Sequence, residues 1–230
     1  MLQMRKGFGP DANRFQCAIL AVQLLATAAV LAWVPGNAAK LALMLLVWAI
    51  GFGRITRAEL ILMVGINVIF VAMDIATLNQ GAFRFTAPNL LGLPYYEFLI
   101  WGFYVLNTIR FLGAEPPRGS VALAVGLVLL FALPFSLIQD YRLLFLASAI
   151  VLVIGLGFFH EWRDIAFVSY MIVIGAVIEY AGVQSGQWSY SGPTLGGVPL
   201  WFATMWGGVG LFIHRIALPL MRWLNRSGWG

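Results

Sequence analysis

Three carboxylates stand where a chain this apolar has little reason to keep them: Asp74, Glu97 and Glu179. Glu97 lies in the stretch APNLLGLPYYEFLIWG, residues 87–102, at the front edge of a long apolar run. Asp74 and Glu179 sit about one turn before the ends of two other apolar runs, so all three fall at a similar depth near one membrane face. Holding an ionisable side chain at such a depth costs on the order of 2–3 kcal/mol, less close to an interface. One explanation is structural: a carboxylate anchors a loop or caps a helix N-terminus, as Glu97 is placed to do. The other is chemical. A carboxylic acid kept protonated in an apolar, aromatic pocket is a proton donor, and a second carboxylate can end the reaction as base.

Aromatic residues crowd the same segments: Phe83, Phe85, Tyr95, Tyr96, Trp101, Trp188, Tyr190, Trp201 and Trp206. Singly, each reads as part of an interfacial aromatic belt. As a set around acids they suit a pocket for an apolar, electron-rich substrate, because aromatic faces stabilise a passing cation. The other ionisable groups read more plainly. Glu59, Glu115, Glu161 and Asp164 fall in loops among arginines, where surface pairing is worth little. Arg110 and Arg215 end their helices, where a cation is favoured and lipid phosphate is in reach. The two histidines, His160 and His214, and the one cysteine, Cys17, make no metal-ligand spacing. The sequence has no P-loop or dinucleotide loop, no paired Asp-rich motif for magnesium and diphosphate, and no compact Ser/His constellation. No cofactor and no metal is expected.

The elements that must position these residues are membrane helices. Of 230 residues, 61% are hydrophobic and 10% charged, too few polar groups to cover a soluble surface. The pattern predicts an all-α, polytopic membrane protein with eight spans at about 15–34, 38–53, 60–78, 95–113, 120–138, 143–159, 165–183 and 200–221. The net charge of +5 comes from single basic residues at helix ends, which speaks for membrane orientation and against nucleic acid. Arg5, Lys6, Arg14, Arg54, Arg57, Arg110, Arg118, Arg163, Arg215, Arg222 and Arg226 fall on one side, against Lys40, Arg84 and Arg142 on the other. That bias predicts an inner-membrane, multi-pass protein with both termini cytoplasmic.

The opening stretch has an echo in GPTLGGVPLWFATMWG, residues 192–207. A shift of 105 residues, without a gap, sets Asp74 on Glu179, Gly81 on Gly186, Phe83 on Trp188 and Phe85 on Tyr190. It continues with Pro88 on Pro193, Pro94 on Pro199, Trp101 on Trp206 and Arg110 on Arg215, and it sets Glu59 on Asp164. Chance likeness of apolar segments matches Leu with Val; it does not align acids, aromatics and prolines in order. The expected organisation is a tail at 1–14, a four-helix repeat at 15–119, a second at 120–221 and a tail at 222–230. Four helices separate equivalent points, so the repeats are parallel, with a site between them.

The order Asp74, Gly81, Phe83, Phe85, then LGLPYYEFLIW, resembles the repeated unit of the heterodimer-type lycopene cyclase domain, and GQWSYSGPTLGGVPLW resembles its second copy. The layout is also similar to small integral-membrane terpene cyclases and carotenoid hydratases. The resemblance covers about 60–113 and 165–218. It implies an enzyme that protonates an alkene or epoxide of an isoprenoid without metal. The chain departs from that pattern at Tyr96, where the family shows an acid, and at Pro199, Leu200, Trp201 and Phe202, where no acid occurs. Only Glu97, with Asp74 and Glu179, can inherit the catalytic role.

The sequence thus points to an acid-initiated isoprenoid cyclase or hydratase, with an apolar isoprenoid substrate and membrane lipid as partners. The alternative is a non-catalytic membrane subunit or a lipid- or pigment-binding protein of a larger complex. A membrane-protein partner or a homo-oligomer is compatible with either. A transporter fits less well, because the acids cluster near one face instead of mid-membrane.

Overall fold

A computed structural model describes residues 14–113 and 115–229; Arg5 and Lys6 lie outside the described residues. The chain is mostly helical. The helices are α1 (Arg14–Trp33), α2 (Asn37–Phe52), α3 (Arg57–Asn79), α4 (Glu97–Leu112), α5 (Val121–Leu137), α6 (Tyr141–Phe159), α7 (Trp162–Gln184), α8 (Trp201–Phe212) and α9 (Leu218–Leu224). Four of them, α1, α3, α6 and α7, are long and apolar enough to cross a bilayer, and α2 and α5 are shorter apolar helices. Leu129, Leu133 and Leu137 on α5, Val64 and Val68 on α3, and Ile150 and Val153 on α6 stand exposed. Apolar faces of that extent belong against lipid, so this is a membrane protein.

The core is built on α4, α7 and α8. Eleven residues of α4 are buried, from Glu97 to Ile109, and α8 is buried over most of its length. A helix apolar all round is stable only when surrounded, and these are packed between α3, α1 and α6. Helix α7 packs along α8 and α1, whereas α5 and α3 do not pack along each other.

Three expectations need correction. The segments left between the expected spans, 79–94 and 184–199, are not plain loops: they hold β1 (Phe83–Phe85) and β2 (Trp188–Tyr190). The strands pair antiparallel, Phe83 with Tyr190 and Phe85 with Trp188, so a local two-fold axis exchanges them. Their ends are tied reciprocally. The Thr86 hydroxyl donates to the Gly186 carbonyl at 2.6 Å, and the Ser191 hydroxyl to the Gly81 carbonyl at 2.7 Å. Gly81 and Gly186 follow the ends of α3 and α7 at φ of 73° and 72°, a left-handed conformation in which a side chain is strained. Two aromatic residues in a three-residue strand were too few to show a strand period by themselves; the partner strand lies 105 residues away.

The last helix also departs from 200–221. It passes through a π-helical turn at Ile213–Ala217, continues as α9, and ends in a second π turn at Asn225–Trp229. Pro219 has no N–H and its ring collides with the carbonyl four residues back, so a widened turn just ahead of it lets the helix run on.

At the end of the bundle away from the strands, the same bidentate clamp occurs at both offset positions. Arg110 donates through Nε and Nη2 to Glu59 at 2.9 and 2.8 Å. Arg215 donates through Nε to Asp164 Oδ1 at 2.7 Å and through Nη2 to Oδ2. The reading of Asp164 and Arg215 as surface groups is overturned: they are 0% and 3% exposed. The arginine folds back from the π turn onto the start of α7, its guanidinium lies over Phe159, and His214, stacked on Phe167, shares the same carboxylate at 2.7 Å. Each arginine turns its guanidinium onto a carboxylate of the bundle.

Candidate active site

The strand pair roofs a cavity of about 400 Å³ whose wall includes Asp74, Glu97 and Glu179 together. Each acid arrives on a different helix. Asp74 comes from the last turns of α3, Glu97 opens α4, and Glu179 lies five residues before the end of α7. Glu97 and Glu179 are screened from bulk solvent, 8% and 6% exposed, and Asp74 is half-buried.

The carboxylates are held by aromatic donors. Trp101 Nε1 donates to Asp74 Oδ2 at 2.9 Å, and its counterpart Trp206 Nε1 donates to Glu179 Oε1 at 3.2 Å. The two indoles stack on each other with centroids 4.9 Å apart. Glu179 receives two further bonds, from Trp188 Nε1 at 3.0 Å and from the Tyr190 hydroxyl at 2.6 Å, both on Oε2. Three donors on two oxygens match the acceptor-only, ionised form of a carboxyl.

The local sequence makes this possible. On α7, Gly175 and Gly182 lie one turn to either side of Glu179 and leave the helix surface bare. A Cβ at Gly175 would fall 2.4 Å from Trp206 Cγ, and one at Gly182 would fall 2.0 Å from Trp188 Cη2. The indoles therefore lie on the helix backbone, which brings their N–H groups to the acid between them. On α3 the position matching Gly175 is Phe70, which stacks on Trp101 at 4.2 Å.

Ten of the twelve site residues expected from sequence reach the wall: the three acids with Phe83, Phe85, Trp101, Trp188, Tyr190, Trp201 and Trp206. Tyr95 and Tyr96 do not. Both precede the first turn of α4; Tyr95 is half exposed beside Asn89, and Tyr96 is buried under the Lys40 ammonium, 5.8 Å from its ring centre. Lys40 in turn donates to the Gln187 side chain. Trp201, the offset counterpart of Tyr96, does face the cavity, so the two halves of the site differ.

Sequence reading missed Phe70, Tyr104, Phe135 and Tyr141 on the wall. Phe70 was findable, one helical turn before Asp74, and Tyr104 likewise one turn after Trp101. Phe135 and Tyr141 carry no such signal, since they come from the α5–α6 corner, remote in sequence from Asp74, Glu97 and Glu179. The cavity separates that corner from Phe70, Met73 and Thr77 of α3, the helix on which α5 does not pack.

The Trp201 indole N–H is buried without a partner on this wall, which leaves a donor free for a polar atom of a ligand. Among the described residues no three His, Cys, Asp or Glu side chains group to hold a metal ion. No family model, curated protein or solved structure matches the chain.

Proposed function

We propose that this protein is an integral-membrane enzyme that protonates an alkene or epoxide of an isoprenoid and guides the resulting cation to a cyclised or hydrated product. The observation that carries the reading is the convergence of three carboxyls on one aromatic-walled cavity. Glu97 is the donor. Its O–H adds a proton to the terminal alkene carbon, or to the epoxide oxygen with cleavage of a C–O bond, and the electron deficit moves to the adjacent carbon. The faces of Trp101, Trp188 and Trp206 stabilise that cation while a neighbouring double bond closes on it. Glu179, already ringed by donors in its acceptor form, takes the final proton directly, or from a water that adds to the cation. A well-placed acid or base contributes about 10²–10⁴-fold at each transfer. Asp74, bonded to Trp101, is the partner acid of the other half.

The architecture belongs to the same reading: about eight membrane-crossing segments in two four-helix repeats, with both termini on the cytoplasmic side. The reciprocal strand ties, the paired Trp–acid bonds and the paired arginine clamps, all at one 105-residue offset, support the duplication. An isoprenoid is dissolved in the bilayer, and the separation of α3 from the α5–α6 corner suits its sideways entry.

The test uses membranes containing the protein, supplied with linear, epoxidised and quinone-linked prenyl compounds, with products followed by mass spectrometry. Conversion by the unmutated chain and none by Glu97→Gln, at equal membrane abundance, is the expected result. Full activity of Glu97→Gln removes Glu97 as donor. No conversion of any such compound by the unmutated chain favours a lipid- or pigment-binding role for the same cavity.

A further inference from the structure

A second pocket lies at the other end of the molecule. Helix α5 starts at Val121, on the wall of this pocket, and ends beside Phe135 and Ile138, on the wall of the acid cavity. Seventeen helical residues separate the two sites by about 25 Å. The second pocket encloses about 260 Å³ between the segment 116–121 and the final helix.

Its chemistry is one-sided. Arg118, Arg215, Arg222 and Arg226 line it, and no carboxylate does. Arg215 forms a fixed floor: it is held by Asp164, by Glu161 Oε1 at 3.2 Å and by the Arg118 carbonyl. The two acids that face this end at the start of α7, Glu161 just before it and Asp164 in its first turn, are thereby used up, Glu161 also accepting the Arg118 amide at 2.9 Å. Among the described residues, Arg118, Arg222 and Arg226 have no ion-pair partner. The N-terminus of α5, with no acidic residue in its first turn, adds the positive end of a helix dipole to the same space. Pro116, Pro117 and Pro219 stiffen the walls. Trp223 borders the pocket while 60% exposed, as an indole at the headgroup level of a membrane stands.

We infer that this pocket binds a phosphate group, presented by the headgroup of an anionic membrane lipid or as a free anion. Planar, permanently charged guanidinium groups converging on one small volume match tetrahedral phosphate oxygens bidentately. The basic side of a membrane protein faces the leaflet in which such lipids collect. The inference does not depend on the isoprenoid reading, which concerns the other cavity.

The experiment titrates purified full-length protein, in a neutral maltoside detergent, with dihexanoyl phosphatidic acid, with inorganic phosphate and with dihexanoylglycerol, read by native mass spectrometry and by thermal melting. The phosphatidic acid is expected to bind and to raise the melting temperature, and the diacylglycerol, which lacks only the phosphate, is not. Arg222→Gln/Arg226→Gln is expected to weaken binding about a hundredfold, about tenfold for each charge-assisted contact removed. Both arginines are exposed, so the unliganded melting temperature should be unchanged. Competition by inorganic phosphate at similar concentration assigns the ligand to the free anion, and its failure to compete assigns it to the headgroup. Equal binding by the double variant, equal binding of the diacylglycerol, or no binding of either phosphate source overturns the proposal.

Discussion

Gly182→Ala adds one methyl group and should disable the acid cavity. The new Cβ would lie 2.0, 2.2 and 2.4 Å from three ring atoms of Trp188. Carbon atoms rest at about 3.5–4.0 Å, so the ring must retreat by roughly 1.5 Å. The Trp188 backbone cannot follow, because it is paired with Phe85 across the strands. The indole N–H then loses Glu179 Oε2, now 3.0 Å away. Overpacking costs about 1–3 kcal/mol and the lost hydrogen bond about 1 kcal/mol, about 2–4 kcal/mol together. For a chain of this size that is a fall in melting temperature of roughly 4–16 °C. Gly65→Ala on α3 and Gly126→Ala on α5 are the controls. Nothing lies within 4 Å of a Cβ at either, so they should be neutral or gain up to about 1 kcal/mol from helix propensity. The decisive variant is Gly182→Ala combined with Trp188→Ala. With the ring gone there is no overlap, so the double variant should melt no lower than Trp188→Ala alone. Thermal melting of these five variants beside the unmutated protein, all detergent-solubilised, measures all of this. A Gly182→Ala protein that melts with the unmutated one, or a double variant in which the two losses add, would refute the packing of Trp188 on α7.

Asp164→Asn should cost about 3–5 kcal/mol, read as melting temperature, because it leaves Arg215 buried without its counter-charge; Glu59→Gln, at a pair with side chains 13% and 21% exposed, should cost clearly less, and equal losses would contradict the burial difference. Asn107→Leu removes the partner of the Tyr170 hydroxyl (2.8 Å) and of the Leu20 carbonyl (3.1 Å) inside the bundle, so a loss of about 1–3 kcal/mol is expected, and an unchanged melting curve would deny that network any part in joining α1, α4 and α7. A reporter fused after Gly230 should read as cytoplasmic, and a periplasmic signal would invert the orientation drawn from the basic residues.

Membrane residence, the main helices and the candidate acids were legible in the residues because each depends on local properties: hydropathy, run length, and the rarity of a charge in an apolar segment. The 105-residue offset was legible too, since it compares residue types in order and needs no coordinates. What the offset does in space was not. That Phe83 pairs with Tyr190, and not with its own counterpart Trp188, follows from a two-fold axis between the strands. Matched positions then diverge by what surrounds them. Tyr96 and Trp201 correspond, yet one is covered by Lys40 and the other opens on the cavity. Asp164 looked like a loop carboxylate because burial is no property of the residue: a side chain from the π turn fifty-one positions later encloses it. The cavity itself needed three helices to bring their acids onto one wall, and its far wall comes from Phe135 and Tyr141, which lie far in sequence from all three of those acids. Periodicity places a side chain on a face of its own helix; only the packing of that helix among the others decides what the face meets.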